Sequence, residues 1–328
     1  MVDFGAETTA ATVVSHFADQ TRGKTFLING VSPRAIGAEI AVSLAEASPL
    51  MLILICNSTD DASGLRPVLE EITRRDASIV VTILTTNPAS LSSVRSLGQD
   101  ILIDPSVSQI DVVINIPTEM PRPYNITEDG IEYLLHTNYL SQFLLTTTIL
   151  PKVLLAERSR VINISSSANK IAGMRWHDLS FEEPGSYDPW TAYGQTKTAA
   201  ILFTVALNAK IVSVQRPSFR SYAVHPGGVK TKLQETLSED SLRKAFEGTK
   251  KRFGEETANE FFRWKTLSVA SSTPLRAALD PFLVNQNGIW LEDCNILEES
   301  VHLDARATDL QSAQRLWDMS EELSKEKP

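Results

Sequence analysis

A series of short apolar runs, separated by stretches with helical periodicity, limits this chain to one class of fold. The first run is Lys24-Thr25-Phe26-Leu27-Ile28-Asn29 and the second is Met51 to Cys56. Ile79 to Leu84, Asp111 to Ile116, Arg160 to Ile164 and Arg220 to Val224 follow, and Gly288 to Leu291 reads as the last. Met51 to Cys56 is apolar without a break, as expected for a strand buried on both faces. Helical patterns lie near Ala11–Ala18 and over Ala38–Ala47, Leu65–Arg75 and Leu91–Leu102. Others run from Thr127 to about Thr147, with Pro151 near the end, and from Leu310 to Lys325. Strand and helix alternating at this spacing predict an α/β chain with a parallel, doubly wound sheet of about seven strands.

Composition excludes several other classes. The 328 residues are 42% hydrophobic, enough for a substantial core. The net charge is −9, and the only basic cluster, Lys250-Lys251-Arg252, is short and flanked by acids. A nucleic-acid partner is therefore not expected. The two cysteines, Cys56 and Cys294, give neither a disulfide framework nor a metal spacing and read as buried thiols. The N-terminus lacks a basic start followed by an apolar block, and the longest apolar run is too short to span a bilayer. A soluble cytoplasmic protein is expected. The Asn-x-Ser/Thr triplets at Asn57, Asn125 and Asn163 are then accidental, Asn163 falling inside a predicted strand.

Two local patterns carry chemistry. Between the first strand and its helix lies Gly30-Val31-Ser32-Pro33-Arg34-Ala35-Ile36-Gly37. Strand, glycine-containing loop and helix together present backbone N–H groups and a helix N-terminus to a pyrophosphate, although an ordinary βα turn reads similarly. Further on, Tyr193-Gly194-Gln195-Thr196-Lys197 opens an apolar helical run. Residues four apart share a helix face. A phenol titrates near pH 10, and a neighbouring ammonium favours its ionised form, so proton exchange with a carbonyl or alcohol oxygen becomes feasible. Taken alone, that pair is a weak signal.

The order of parts adds weight. Tyr193-x-x-x-Lys197 follows Asp188-Pro189-Trp190-Thr191-Ala192; Ser165-Ser166-Ser167 ends the fifth strand; Val224-His225-Pro226-Gly227-Gly228-Val229-Lys230-Thr231 follows the sixth. Thr137-Asn138-Tyr139-Leu140-Ser141-Gln142 lies on the long helix. Over roughly residues 10–325, the chain resembles the short-chain dehydrogenase/reductase family, in particular fungal members similar to retinol dehydrogenases and WW-domain oxidoreductases. The resemblance implies a single Rossmann-type domain: 24–120 as nucleotide-binding half, 121–228 as catalytic half, 229–275 as a substrate lid, and 276–328 as last strand and C-terminal helix. It implies Tyr193 as acid/base and Lys197 as the group that lowers its pKa and holds the nicotinamide ribose. Ser166 would bind the substrate oxygen, with Ser165 or Ser167 as alternatives, and Asn138 would hold a water linking Lys197 to solvent. Gly30, Ser32, Arg34, Ile36, Gly37, Asn57, Asn87, Asn115, Pro226, Gly227, Val229 and Thr231 would join Tyr193 and Lys197 around the cofactor, Thr231 meeting its amide. The serines could instead satisfy strand-end backbone groups, and Asn138 could face solvent. His225 reads as structural, and His177 is given no catalytic role. A homodimer is the family's habit.

The cofactor half departs from the family pattern. Arg34-Ala35 stands where the loop has a middle glycine, Asn57 where NADP-users carry arginine and NAD-users an acid, and Asn87 where an aspartate meets adenine. Asn115-Ile116-Pro117-Thr118 replaces Asn-Asn-Ala-Gly. Arg34 and the lack of an acid at Asn57 tilt the expectation toward NADP over NAD. Two activities are therefore carried forward: an NAD(P)H-dependent oxidoreductase and a redox-neutral acid/base enzyme on the same scaffold. Leu233, Leu237, Phe246, Phe253, Phe261, Phe262 and Trp264, with Trp176 and Trp190 nearby, suggest a bulky lipophilic small molecule as substrate. They could equally pack the lid's own helices. The fungal resemblance suggests secondary metabolism.

Overall fold

The computed structural model describes residues 3–213, 218–229, 239–286 and 288–325, with the backbone alone at 212, 213, 241, 257, 260 and 261. The parallel strands are β1 (Thr25–Asn29), β2 (Met51–Cys56), β3 (Val80–Thr85), β4 (Val112–Asn115), β5 (Arg160–Ile164) and β6 (Arg220–His225). A short pair, β7 (Gly228–Val229) and β8 (Trp264–Lys265), lies apart from them. Then come β9 (Trp290–Glu292), parallel to β6, and β10 (Asn295–Leu297), antiparallel to β9. The main sheet has eight strands in the order β10-β9-β6-β5-β4-β1-β2-β3. Strand order reverses between β1 and β4, the position where a doubly wound sheet leaves a crevice.

Most strand residues are apolar and buried because helices cover both faces. On one face Phe26, Ile28, Leu52, Leu54 and Ile114 meet α1 (Ala10–His16), α3 (Ile36–Leu44) and α12 (Leu267–Leu279). On the other, Leu27, Ile53, Val113 and Val161 meet α6 (Leu91–Ile103), α8 (Ser141–Val153), α9 (Pro189–Ser213) and α13 (Leu310–Ser324). Trp317 of α13 packs edge-on against Phe143, with ring centres 5.1 Å apart, and beside Phe203. Cys56 and Cys294 are buried free thiols. Among the described residues no helix is long and apolar enough to cross a membrane.

Three elements differ from the sequence reading. The predicted helix from Thr127 does not begin there. Gly130 has φ +77°, the Thr127 N–H bonds the Ile131 carbonyl at 2.9 Å, and the helical backbone starts only at α7 (Tyr133–Leu135). The buried Glu132 carboxylate sets that start by accepting from the Leu134 and Leu135 N–H groups at 2.9 and 2.7 Å. A π-turn, His136–Leu140, then leads into α8, which runs through Pro151 to Val153. The Tyr193 helix begins earlier than expected, at Pro189. The last strand is displaced to Trp290 and turns back through Asp293 and Cys294, both with positive φ, to form β10.

Polar residues cross the middle of the sheet in register. Asn29, Asn115 and Asn163 are paired neighbours on β1, β4 and β5. The Asn115 amide donates to Asn163 Oδ1 and to Thr146 Oγ1, both at 3.0 Å; Asn163 Nδ2 donates to Thr204 Oγ1 at 3.0 Å and Ser221 Oγ at 3.3 Å. All are buried. Removing one partner strands the others without water. Asn163→Leu is expected to cost about 3 kcal/mol in urea denaturation. A cost below about 1 kcal/mol would mean that the chain of amides does not hold the sheet together.

Candidate active site

A cavity of about 1530 Å³ opens over the reversal between β1 and β4, bounded by strand ends, the loop after β1 and α10 (Glu239–Phe253). That volume exceeds the roughly 300–1,000 Å³ of a typical ligand pocket.

Tyr193 and Lys197 lie one turn apart on α9 and both line this cavity. They are 8% and 3% exposed. Lys197 Nζ lies 4.8 Å from the centre of the Tyr193 ring. Among the described residues, neither the phenol hydroxyl nor the ammonium has a hydrogen-bond partner. Burial pulls the Lys197 ammonium down to about 7 and holds the Tyr193 phenol well above its usual range. The sequence reading expects the ammonium to lower the phenol. In the protein alone burial dominates, because desolvation disfavours both charged forms and leaves Lys197 about half neutral at pH 7.

The serines divide by environment. The buried Ser165 hydroxyl donates to the Lys197 carbonyl at 2.8 Å and ties β5 to α9. Ser167 is buried as well. All three border the cavity, but only Ser166 is half-buried, and its oxygen accepts from the Ala168 N–H at 3.2 Å. Ser165 is thus committed to the scaffold, while Ser166 is placed to meet a ligand. Asn138 lies in the π-turn and is fully buried. Its side chain spans the main chain of Glu119: Oδ1 accepts from the Glu119 N–H at 3.1 Å, and Nδ2 donates to the Glu119 carbonyl at 2.9 Å. The side chain is thus tied to Glu119, with one acceptor site on Oδ1 and one hydrogen on Nδ2 left over.

In the cofactor half, Gly30, Ser32 and Ile36 line the cavity. Gly30 has φ +91°, and a Cβ there would sit 2.1 Å from the Ile116 carbonyl oxygen, so only glycine fits. Arg34 takes the left-handed conformation, φ +57°, that a glycine would adopt freely. It is exposed and absent from the cavity wall, so it does not crowd a pyrophosphate. Gly37 also lies off the wall, packed near Ile116 and Val31. The N-cap of α3, Ala35, offers no side-chain acceptor, which leaves the first amides of that helix open to an anion. Asn57 is on the wall and donates to Thr118 Oγ1 across the cleft. Asn87 is exposed on the wall, its amide oxygen accepting from the Ala89 N–H at 3.0 Å. Asn115 is off the wall, consumed by the buried amide chain. Pro226, Gly227 and Val229 line the far side, and Thr231 lies outside the described residues.

A nicotinamide dinucleotide fits this donor set. The open α3 amides suit a pyrophosphate, and the unspent heads of Tyr193 and Lys197 suit a ribose and a reacting oxygen. Ile116, Pro117 and the Asn57–Thr118 bond stand on the wall beside the loop after β1.

Around the substrate end, Trp190, Phe253, Phe262 and Trp264 line the cavity. Phe246 instead packs on Phe262, with centres 5.5 Å apart, and Trp176 packs under Arg315. Leu233 and Leu237, and the Phe261 side chain, lie outside the described residues. His225 borders the cavity, stacks on Trp290 and is pulled down to about 3 by burial and by His302, so it is neutral. His177 is exposed and off the wall. The sequence reading has Asp60 and Asp61 only as acids near Asn57, and it does not single out Glu119, Arg122 or Tyr133 as wall residues. Ser58-Thr59-Asp60-Asp61 has the spacing of a capping box, and Ser58 Oγ does accept from the Asp61 N–H at 3.1 Å. That motif could have located Asp61.

Similarity to known proteins agrees with this geometry. The sequence profile described as short chain dehydrogenase matches residues 24–242. A short-chain dehydrogenase/reductase named prx1 from Penicillium roqueforti is 28% identical over 314 residues, covering 92% of this chain and 85% of its own. Human retinol dehydrogenase 11 is 28% identical over 310 residues, covering 92% and 86%. A crystal structure of a protein from Mycobacterium paratuberculosis superposes with a TM-score of 0.62 at 26% identity, covering 94% of this chain and 96% of that one. The chain belongs to the short-chain dehydrogenase/reductase family. It is an oxidoreductase of that type, with the family's Rossmann fold.

A buried ammonium costs stability. Lys197 titrates near 7 when folded and near 10.5 when unfolded, so the cost is complete below about pH 7 and is relieved as pH rises toward 10.5. Lys197→Met is expected to stabilise the protein by on the order of 2 kcal/mol at pH 7, and by progressively less at pH 9 and 10. Urea denaturation across that range checks it; a loss of stability at every pH would contradict it.

Proposed function

We propose that the protein interconverts a carbonyl and an alcohol on a bulky lipophilic small molecule, using NAD(P)H. The observation that carries this reading is the pair of buried, hydrogen-bond-free heads of Tyr193 and Lys197, beside Ser166, over the strand-order reversal. A bound nicotinamide would supply or accept the hydride. Ser166 holds the substrate oxygen, and Tyr193 gives it a proton or takes one away. Lys197 holds the ribose and supports the phenolate. Asn138 fixes the main chain of Glu119 against the π-turn, which keeps this wall in place. Residues 24–120 form the nucleotide half, 121–228 the catalytic half, 229–275 the lid and 276–328 the closing strand and helix. A cytoplasmic setting and a role in fungal secondary metabolism belong to the same reading; the likeness to a Penicillium protein supports the latter.

The choice of dinucleotide turns on local charge. The expectation of NADP leans on Arg34, which lies off the cavity wall, whereas Asp61 is on it beside Asn57 and Ser58. A carboxylate there suits a ribose diol and repels a 2′-phosphate, which favours NADH. The redox-neutral alternative draws on Ile116, Pro117 and the Asn57–Thr118 bond, which narrow the adenosine side.

Titration with NADH and NADPH, followed by nicotinamide fluorescence, separates the readings. Micromolar binding is expected, tighter for NADH, and Asp61→Asn should narrow the gap by about tenfold. Failure to bind at millimolar concentration would leave the redox-neutral reading. Tyr193→Phe should lower turnover by about 10²–10⁴-fold without shifting the melting temperature. A fully active variant would overturn both readings.

A further inference from the structure

One polar cluster on the cavity wall takes no part in the proton chemistry. The segment that carries it is stiff, because Pro117, Pro121 and Pro123 each restrict the backbone. Both main-chain polar groups of Glu119 are held by Asn138. Arg122 lies flat on Tyr133, its guanidinium carbon 3.9 Å from the ring centre, and its main-chain carbonyl accepts from the Tyr187 hydroxyl at 2.8 Å. Glu119, Arg122 and Tyr133 all border the cavity.

Arg122 is poorly matched within the protein. Among the described residues its ionic partner is the Glu119 carboxylate, 3.4 Å from Nη1. That is long for a charge-assisted bond, which normally closes to about 2.7–2.9 Å; with the Tyr133 hydroxyl as its other hydrogen-bond partner, the guanidinium still has donors to spare. Glu119 is a weak competitor, since burial pushes its carboxyl up. Of the other cations on the wall, Lys244 pairs with Asp240 at 2.7 Å, Arg252 donates to the Ile171 carbonyl at 2.9 Å, and Lys197 stands beside Tyr193 at the reacting end. A stacked guanidinium with a free edge matches a carboxylate in shape and charge. The surrounding wall is apolar, with Met120, Trp190 and Phe262.

The geometry points to Arg122 as the recognition group for a substrate carboxylate, so that the cleft takes a lipophilic acid whose ketone or alcohol is placed at Tyr193. This rests on the cleft being the substrate site. The incoming carboxylate replaces Glu119 on the guanidinium and pairs with it through two parallel bonds.

Trp190 and Trp264 line the cleft, so tryptophan fluorescence of the full chain reports its occupancy. Dodecanoate and 1-dodecanol, matched in length, serve as probes. The parent protein should bind dodecanoate at least about tenfold more tightly than the alcohol. Arg122→Gln should bring the ratio to about one with alcohol binding unchanged, and Arg122→Lys should give an intermediate ratio. Glu119→Gln should tighten dodecanoate, the opposite sign, which general loosening of the wall would not produce. Equal binding of both probes by the parent, binding of neither, or a preference that survives Arg122→Gln overturns the proposal. NADH titration of the same samples is independent: its failure would count against the oxidoreductase reading and leave carboxylate recognition standing.

Discussion

The site depends on an ammonium carried into a buried wall without a partner. Lys197 reaches that position because α9 is packed on both sides, against β5 and β6 below and α13 above. Elsewhere, buried polar groups in this protein are largely satisfied: Asn115, Asn163, Asn138 and Ser165 each find a donor or acceptor. Lys197 and Tyr193 are exceptions, as are the buried hydroxyls of Thr21, Tyr222 and Ser271, but these two line the cavity. Buried polar groups without partners are costly, and their persistence at the mouth of a cavity is what a ligand-binding surface requires.

The scaffold beneath them is rigid for a physical reason. Predominantly apolar strands demand cover on both faces, and crossover helices supply it. The crevice at the reversal of strand order follows from that winding. The amide chain from Asn29 through Asn163 then locks β1, β4 and β5 together directly beneath the crevice. The loop after β1 holds two residues with positive φ in different ways. Gly30 is forced by the close approach of Ile116, whereas Arg34 adopts a glycine-like backbone without being glycine.

Particular elements show how much was legible beforehand. Met51–Cys56 and Arg160–Ile164 were read to the residue, because uninterrupted apolar runs leave one interpretation. The helix expected at Thr127 was read too early, since a buried carboxylate cap and a positive-φ glycine act through three-dimensional packing. The hairpin β9–β10 was missed because its turn places Asp293 and Cys294 in left-handed conformations that their residue types do not announce. At the site, the spacing of Tyr193 and Lys197 was visible as helix geometry. The division of labour among Ser165, Ser166 and Ser167 was not, because neighbours in sequence differ only in which way the strand end turns them.

The amino-acid order alone determined the class of fold and the placing of Tyr193 and Lys197 on one helix face, since both follow from periodicities of one strand or one helix turn. Which polar residues face the cavity was decided only by the assembled structure. Asn115 sinks into the sheet, Arg34 turns away, and Asp61, Glu119 and Arg122 come to the wall. Apart from Asp61, which has a local signal in its capping box, those outcomes depend on contacts between segments far apart in the chain.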